Sequence, residues 1–232
     1  MKKKLAIGIS ILFALILASG LSLAQFKDKP LYEPGVVRAR ASLDIPAQAR
    51  DESFWSVEND IKLYHYSDGA GKNVLVIHGG PGFPIRRPYA GLKPLATNYR
   101  FIYYDQRGCG KSTRPIDRFS SPNYFQNLMT LDRTLGLGAQ LADMEKIRRI
   151  LGDEKLILLG HSFGGFLASL YAAEFPERVK ALILVAPADL LVMPAEGGGL
   201  FEEVQRLLPE NLKQDYGSFL QRYFDYGSIF SK

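Results

Sequence analysis

Residues 155–165 read Lys-Leu-Ile-Leu-Leu-Gly-His-Ser-Phe-Gly-Gly. The first six form a continuous apolar run of strand length. After Ser162 comes a segment, 163–175, rich in small residues at its start and halted before Pro176, as a helix would be. A strand, a sharp turn and a helix are therefore expected, with Ser162 at the turn. Gly160 and Gly164 leave room where side chains would collide, so the Ser162 hydroxyl should project from the carboxyl edge of a sheet. The helix amino terminus behind it offers free N–H groups and positive dipole potential. Ser162 is thus the candidate nucleophile for attack on a carbonyl, and the Phe163 N–H a candidate donor to the oxyanion that develops. A serine serving only as a helix cap would not need glycines on both sides.

Working outward, the runs 73–78 (NVLVIH), 100–105 (RFIYYD) and 181–186 (ALILVA) also lack polar alternation. Such strands are buried on both faces, as in a parallel sheet covered by helices. Residues 53–59 and 61–66 read as a hairpin turning at Asn59-Asp60. In 138–151, Leu141, Met144, Ile147, Ile150 and Leu151 share one stripe, and Gly152 follows where a helix stops. Strands alternating with helices predict an α/β fold with a mostly parallel sheet and helices on both faces. After Pro187 the strand signal vanishes. Gly197-Gly198-Gly199 precedes two aromatic-rich helical segments, 200–208 and 211–224.

Two further loops follow strands. His78-Gly79-Gly80-Pro81-Gly82 is a glycine-rich turn whose backbone can approach a substrate carbonyl closely. The N–H of Gly79 or of Gly80 would join that of Phe163 in an oxyanion hole; Pro81 has no N–H to give. Asp105-Gln106-Arg107-Gly108-Cys109-Gly110-Lys111-Ser112 ends like a phosphate loop, but the glycine required five residues before Gly110 is Asp105 instead. Asp105 and Arg107 are expected to brace the turn. Asp105 as a triad acid would precede the serine, against the usual order. His161 adjoins the nucleophile, yet neighbours on such a turn point in different directions, and a general base must approach Oγ from outside.

The net charge of +5 includes Lys2, Lys3 and Lys4 at the extreme end, and no block of like charge remains for nucleic acid. The single cysteine, Cys109, excludes an intrachain disulfide and sits between two glycines as a small turn residue. Three histidines, His65, His78 and His161, without a Cys/His cluster predict no zinc site, and no other cofactor is implied. The basic start, the apolar run 5–17 and the small residues Ser22-Leu23-Ala24 predict a signal peptide cleaved before Gln25. The apolar stretch 5–24 is also long enough to serve as a membrane anchor. Either way the remainder is exported. Residues 25–50 form a linker, 51–187 an α/β core and 188–232 a helical segment.

The loops 78–82, 105–112 and 160–165, in that order, resemble those of α/β-hydrolases of the prolyl aminopeptidase (proline iminopeptidase) type, over about residues 54–190. The resemblance implies the α/β-hydrolase fold and a serine hydrolase that cleaves amides or esters of small molecules or peptides by acyl transfer. This chain has Gly-His-Ser-Phe-Gly where those aminopeptidases often have Gly-Gly-Ser-Trp-Gly. It implies that 188–232 begins a helical cap, in which Glu196, Glu202 and Glu203 are candidates to hold a substrate amine. It also implies a later return to the sheet for an acid and a histidine. No histidine follows His161, and Asp189, Asp215 and Asp225 end no recognisable strand. The chain is therefore expected to be incomplete at its carboxyl end, and the open edge at 181–186 predicts aggregation. The alternatives are a non-catalytic binding protein that kept the pocket, or a second polypeptide that supplies the histidine.

Overall fold

Successive side chains on a strand point to opposite faces of a sheet, and each apolar run adopts that role. The computed structural model of the chain describes residues 35, 37–49, 53–188 and 200–223. Strands β1 (Phe54–Glu58) and β2 (Ile61–Asp68) form the hairpin, turning at Asn59-Asp60. β3 (Lys72–Ile77), β4 (Tyr99–Tyr104), β5 (Leu156–His161) and β6 (Val179–Val185) follow. The order across the sheet is β1-β2-β4-β3-β5-β6. β2 is antiparallel to both its neighbours, and the other pairs are parallel. The chain leaves β3 for β4 on one side and then returns past β3 to β5 on the other. In open α/β sheets such a reversal marks the carboxyl ends of the strands beside it, here β3 and β5, as the place where ligands bind.

Val74, Val76, Phe101, Tyr103 and Leu159 form the core of one face, packed by Ile85, Tyr89 and Leu92. The connection covering it, 78–98, carries Pro81, Pro84, Pro88 and Pro94, so it forms only a short 3-10 helix, Ala90–Leu95. Hydroxyls pin this loop: Tyr66 donates to the Ile85 carbonyl at 2.9 Å, and Tyr103 accepts from the Tyr89 N–H at 3.1 Å. The alternate residues, among them Leu75, Ile77, Ile102 and Leu158, are fully buried on the other face. Helices α3 (Leu137–Leu151) and α4 (Phe163–Glu174) supply long packed surfaces for the sheet, α4 against β3, β5 and β6 and α3 against β1. α3 stops at Gly152, whose φ of 72° lets its N–H reach the carbonyls of Arg148 and Arg149.

Two helices carried no clear signal in the sequence. α2 (Tyr124–Leu135) fully buries only Asn127 and leaves Phe125 and Met129 exposed, so its apolar residues make no core stripe. α1 (Arg38–Ala41) lies within the expected linker, yet it packs against α3. Arg38 pairs with Glu177 at 2.9 Å and hydrogen-bonds the Glu174 carbonyl, and Arg149 donates to the carbonyls of Ala41 and Leu43. α5 (Leu200–Leu207) and α6 (Glu210–Tyr223) form the two helices expected after the core.

β6 departs from the other central runs. Leu182, Ile183, Leu184 and Val185 are between 37% and 44% exposed among the described residues. Its inner edge pairs with β5 from Leu156↔Val179 to His161↔Val185. No helix among the described residues is long and apolar enough to cross a membrane; the segment 5–24 lies outside the described residues.

Candidate active site

Ser162 joins β5 to α4 with φ 53° and ψ −122°, a conformation that a residue with a Cβ adopts only under constraint. The constraint is backbone packing. A Cβ at Gly164 would overlap the Ile77 carbonyl of β3, and one at Gly165 would lie 2.8 Å from the Pro187 Cβ. A Cβ at Gly160 would lie 2.6 Å from the Gly165 Cα. The glycines flanking Ser162 are therefore required by the close approach of three main chains. The Ser162 N–H donates to the Val185 carbonyl at 3.0 Å, and its carbonyl accepts from Gly165, Phe166 and Ala188. Both backbone groups of Ser162 are thus held, while its side chain is half-buried and Oγ has no hydrogen-bond partner among the described residues.

The end of β3 lies against this turn. A Cβ at Gly79 would stand 3.0 Å from the Ser162 Cβ and 3.4 Å from the His161 Nδ1. Gly80, at φ 121°, continues the loop, which closes with the Phe83 N–H on the Gly79 carbonyl at 3.2 Å. The N–H groups of Gly80 and Phe163 have no hydrogen-bond partner among the described residues. The structure therefore brings Ser162, Gly79, Gly80 and Phe163 together at the carboxyl ends of β3 and β5. A cavity of about 400 Å³, lined by Asp68, Tyr89, Lys93 and Thr97 among others, sits at the opposite, amino end of the parallel strands.

The loop after β4 is a brace. The Asp105 carboxylate accepts from the Lys111 N–H at 2.8 Å and from Arg86 at 3.3 Å, and its carbonyl accepts from Ser112 Oγ at 2.6 Å. Arg107 grips Asp143 of α3 with two hydrogen bonds of 2.6 and 2.5 Å, and lies 3.3 Å from Glu58 of β1. Burial opposes the Arg107 charge, but the bonds to Asp143 prevail and raise its pKa. Burial would also push the Glu58 carboxyl up; Arg107, Lys146 and Arg40 outweigh it and hold Glu58 at about 2. Fully buried Lys146 completes the cluster, 3.1 Å from Glu58. Cys109 is buried, its thiol pushed up to about 11 mainly by desolvation, and it donates to the Gln106 carbonyl. It is therefore protonated and unreactive near neutral pH.

None of the three histidines hydrogen-bonds the Ser162 hydroxyl. His65 stacks on Trp55 at 3.7 Å in the hairpin. His161 is exposed at the end of β5. His78 is fully buried, with both ring nitrogens engaged. Its involvement was not foreseen from the sequence; the only trace was its place between a strand and a glycine turn. Glu203 pairs with Arg206 on exposed α5, and Glu196, Asp189 and Asp225 lie outside the described residues. Among the described residues no group of three His, Cys, Asp or Glu side chains could hold a metal ion.

A strained serine at a strand–helix turn, on a sheet of this order, defines a class. The chain belongs to the alpha/beta hydrolase fold family, whose pattern matches residues 72–223. Within that family it is similar to a proline iminopeptidase of Saccharolobus solfataricus, 34% identical over 173 residues, covering 72% of this chain and 47% of the relative. It is also similar to a proline iminopeptidase of Heyndrickxia coagulans, 38% identical over 120 residues, covering 52% of this chain and 36% of the relative. The chain spans less than half the length of these two relatives. The crystal structure of VinJ shares the fold, with a TM-score of 0.54 at 18% identity, covering 74% of this chain and 53% of that one.

Proposed function

We propose that this chain carries the nucleophile of a serine hydrolase of the proline iminopeptidase type, cleaving amides or esters by acyl transfer. The observation that carries the reading is Ser162. Its backbone is forced to φ 53°, and neither its Oγ nor the N–H groups of Phe163 and Gly80 have a hydrogen-bond partner among the described residues. A structural serine would use its hydroxyl; a nucleophile must keep it available. In this reading Oγ attacks a carbonyl carbon and the carbonyl π electrons move to oxygen. The N–H groups of Phe163 and of the Gly79–Gly80 turn receive the oxyanion, which is the largest electrostatic contribution such sites make. Collapse of the intermediate expels the amine or alcohol, and water then releases the acyl group. The proton of Oγ goes to a histidine that none of the described residues supplies. Similarity to proline iminopeptidases supports peptides with amino-terminal proline as the substrate class.

The absence of a base at Ser162 among the described residues favours one other reading, a binding protein that kept the crevice and lost catalysis. Labelling with a fluorophosphonate probe separates the two. The expected result is an adduct mapped to Ser162 by mass spectrometry and lost in Ser162→Ala. Absence of the adduct would leave the binding reading in place. The start of the chain supports export, either after cleavage before Gln25 or on an anchor formed by residues 5–24. Fractionation of cells producing the full chain, with amino-terminal sequencing, tests that part.

A further inference from the structure

We propose that Arg86 is a specificity-determining residue: its guanidinium receives a carboxylate of the substrate, so the preferred peptides end in a free carboxylate a short way beyond the bond attacked. The inference rests on the reading of Ser162 as nucleophile, and it names the part of the substrate that lies away from that serine. Other arginines of this fold show what a committed ion pair looks like. Arg107 holds Asp143 through two nitrogens at 2.6 and 2.5 Å, and Arg148 holds Glu145 through two at 2.9 and 2.7 Å. Arg86 instead reaches Asp105 with Nη1 alone, at 3.3 Å. Its Nε and Nη2 have no hydrogen-bond partner among the described residues. Those two nitrogens form an edge of the guanidinium that suits a carboxylate through two parallel bonds. The pair is also lopsided, with the Arg86 side chain 57% exposed and that of Asp105 2%. The cation therefore stands in front and the acid behind it, where Asp105 already accepts from the Lys111 N–H at 2.8 Å.

The loop after β3 carries this cation to the neighbourhood of the serine. It leaves the strand through Gly79, which lies against Ser162, and the Phe83 N–H fastens it on the Gly79 carbonyl at 3.2 Å. Pro84 then comes close to Gly110, where a Cβ would lie 3.0 Å from its Cγ, and Arg86 meets Asp105 at the end of β4. β4 and β5 flank β3 in the sheet. Asp105 and Ser162, each directly after its strand, are therefore two strand spacings apart, roughly 10 Å. An extended peptide advances about 3.3–3.6 Å per residue, so its carboxylate meets Arg86 roughly two or three residues beyond the attacked carbonyl. With an amino-terminal proline as the acyl group, that carboxylate closes a short leaving peptide. The Arg86 charge is felt at the site itself. It works to lower the pKa of His78, which opens the Gly79–Gly80 turn, and of Cys109 in the loop after β4.

The test measures equilibrium binding to the full chain carrying Ser162→Ala, so that nothing is turned over. The probes are Pro-Ala-Ala with a free carboxyl terminus and the same tripeptide as its carboxyl-terminal amide, each titrated by isothermal calorimetry. The free acid is expected to bind about five- to tenfold tighter, as a charged pair at a partly exposed arginine does. Adding Arg86→Gln should bring the acid down to the amide and leave the affinity for the amide as it was. Arg86→Lys, which lacks two fixed parallel donors, should keep part of the preference. Equal binding of acid and amide, no binding of the acid, or a preference that survives Arg86→Gln would overturn the proposal. Should the Arg86→Gln chain fail to fold, Arg86→Lys decides, and an undiminished preference there overturns it. None of these readouts depends on a reactive serine, so failure to label Ser162 with fluorophosphonate refutes the proposed function separately.

Discussion

Replacing the candidate nucleophile by glycine should make the protein more stable than replacing it by alanine. Both substitutions remove an Oγ that has no hydrogen-bond partner among the described residues, so they differ only in the Cβ. At φ 53° and ψ −122° that Cβ is strained, at a cost of roughly 1–3 kcal/mol for such backbone conformations. Glycine releases the strain but adds freedom to the unfolded chain, which takes back about 0.4–1 kcal/mol. The difference is a net gain of about 1 kcal/mol for Ser162→Gly over Ser162→Ala, equivalent to roughly 2–4 °C in Tm for a domain of this size. Urea denaturation of the two variants, read as midpoints at unchanged m-value, gives the quantity directly. A Ser162→Gly protein less stable than Ser162→Ala by more than about 0.5 kcal/mol would show that this turn stores no strain.

Three other outcomes can be checked. Arg107→Met leaves Asp143 buried without its partner, and should cost about 3–5 kcal/mol in denaturant unfolding; adding Asp143→Leu should restore much of it. Glu58, held at about 2 against an ordinary 4.5, stabilises the folded state above the higher value and loses that contribution as pH falls toward the lower. The contribution is at most ~3 kcal/mol, reduced by solvent screening at a partly open carboxylate. Between these pH values Glu58→Gln should therefore show a flatter dependence of melting temperature on pH. At β6, Leu184→Lys should reduce concentration-dependent self-association in analytical ultracentrifugation, because a charge on an open edge opposes strand pairing between copies.

β3, β4 and β5 were readable because each carries an unbroken apolar run, and their burial leaves no polar alternation to confuse the period; β6 was readable from the same kind of run although it is partly exposed. The turn at Ser162 was readable for a different reason: glycines on both sides of a serine have no purpose unless main chains meet there, as those of Ile77 and Pro187 do. What escaped the sequence depends on partners far away in the chain. α1 is held by Glu174, Glu177 and Arg149, more than a hundred residues later. α2 has too little buried surface to impose a period. His78 is engaged by Gln106, 28 positions on, and nothing local distinguishes it from a histidine that merely ends a strand.

The hydrogen bonds from Ser162 to Val185 and from Ala188 back to Ser162 stitch the Ser162 peptide to the margin of the described sheet. β6 is the least sheltered of the parallel strands, and weakly covered elements are the ones that open first. Ser162 thus inherits its stiffness from the margin of the described sheet rather than from its core. A strand added to the side of β6 that is unpaired among the described residues would clamp Ser162 from behind, and would change how firmly its hydroxyl is presented without touching the turn itself.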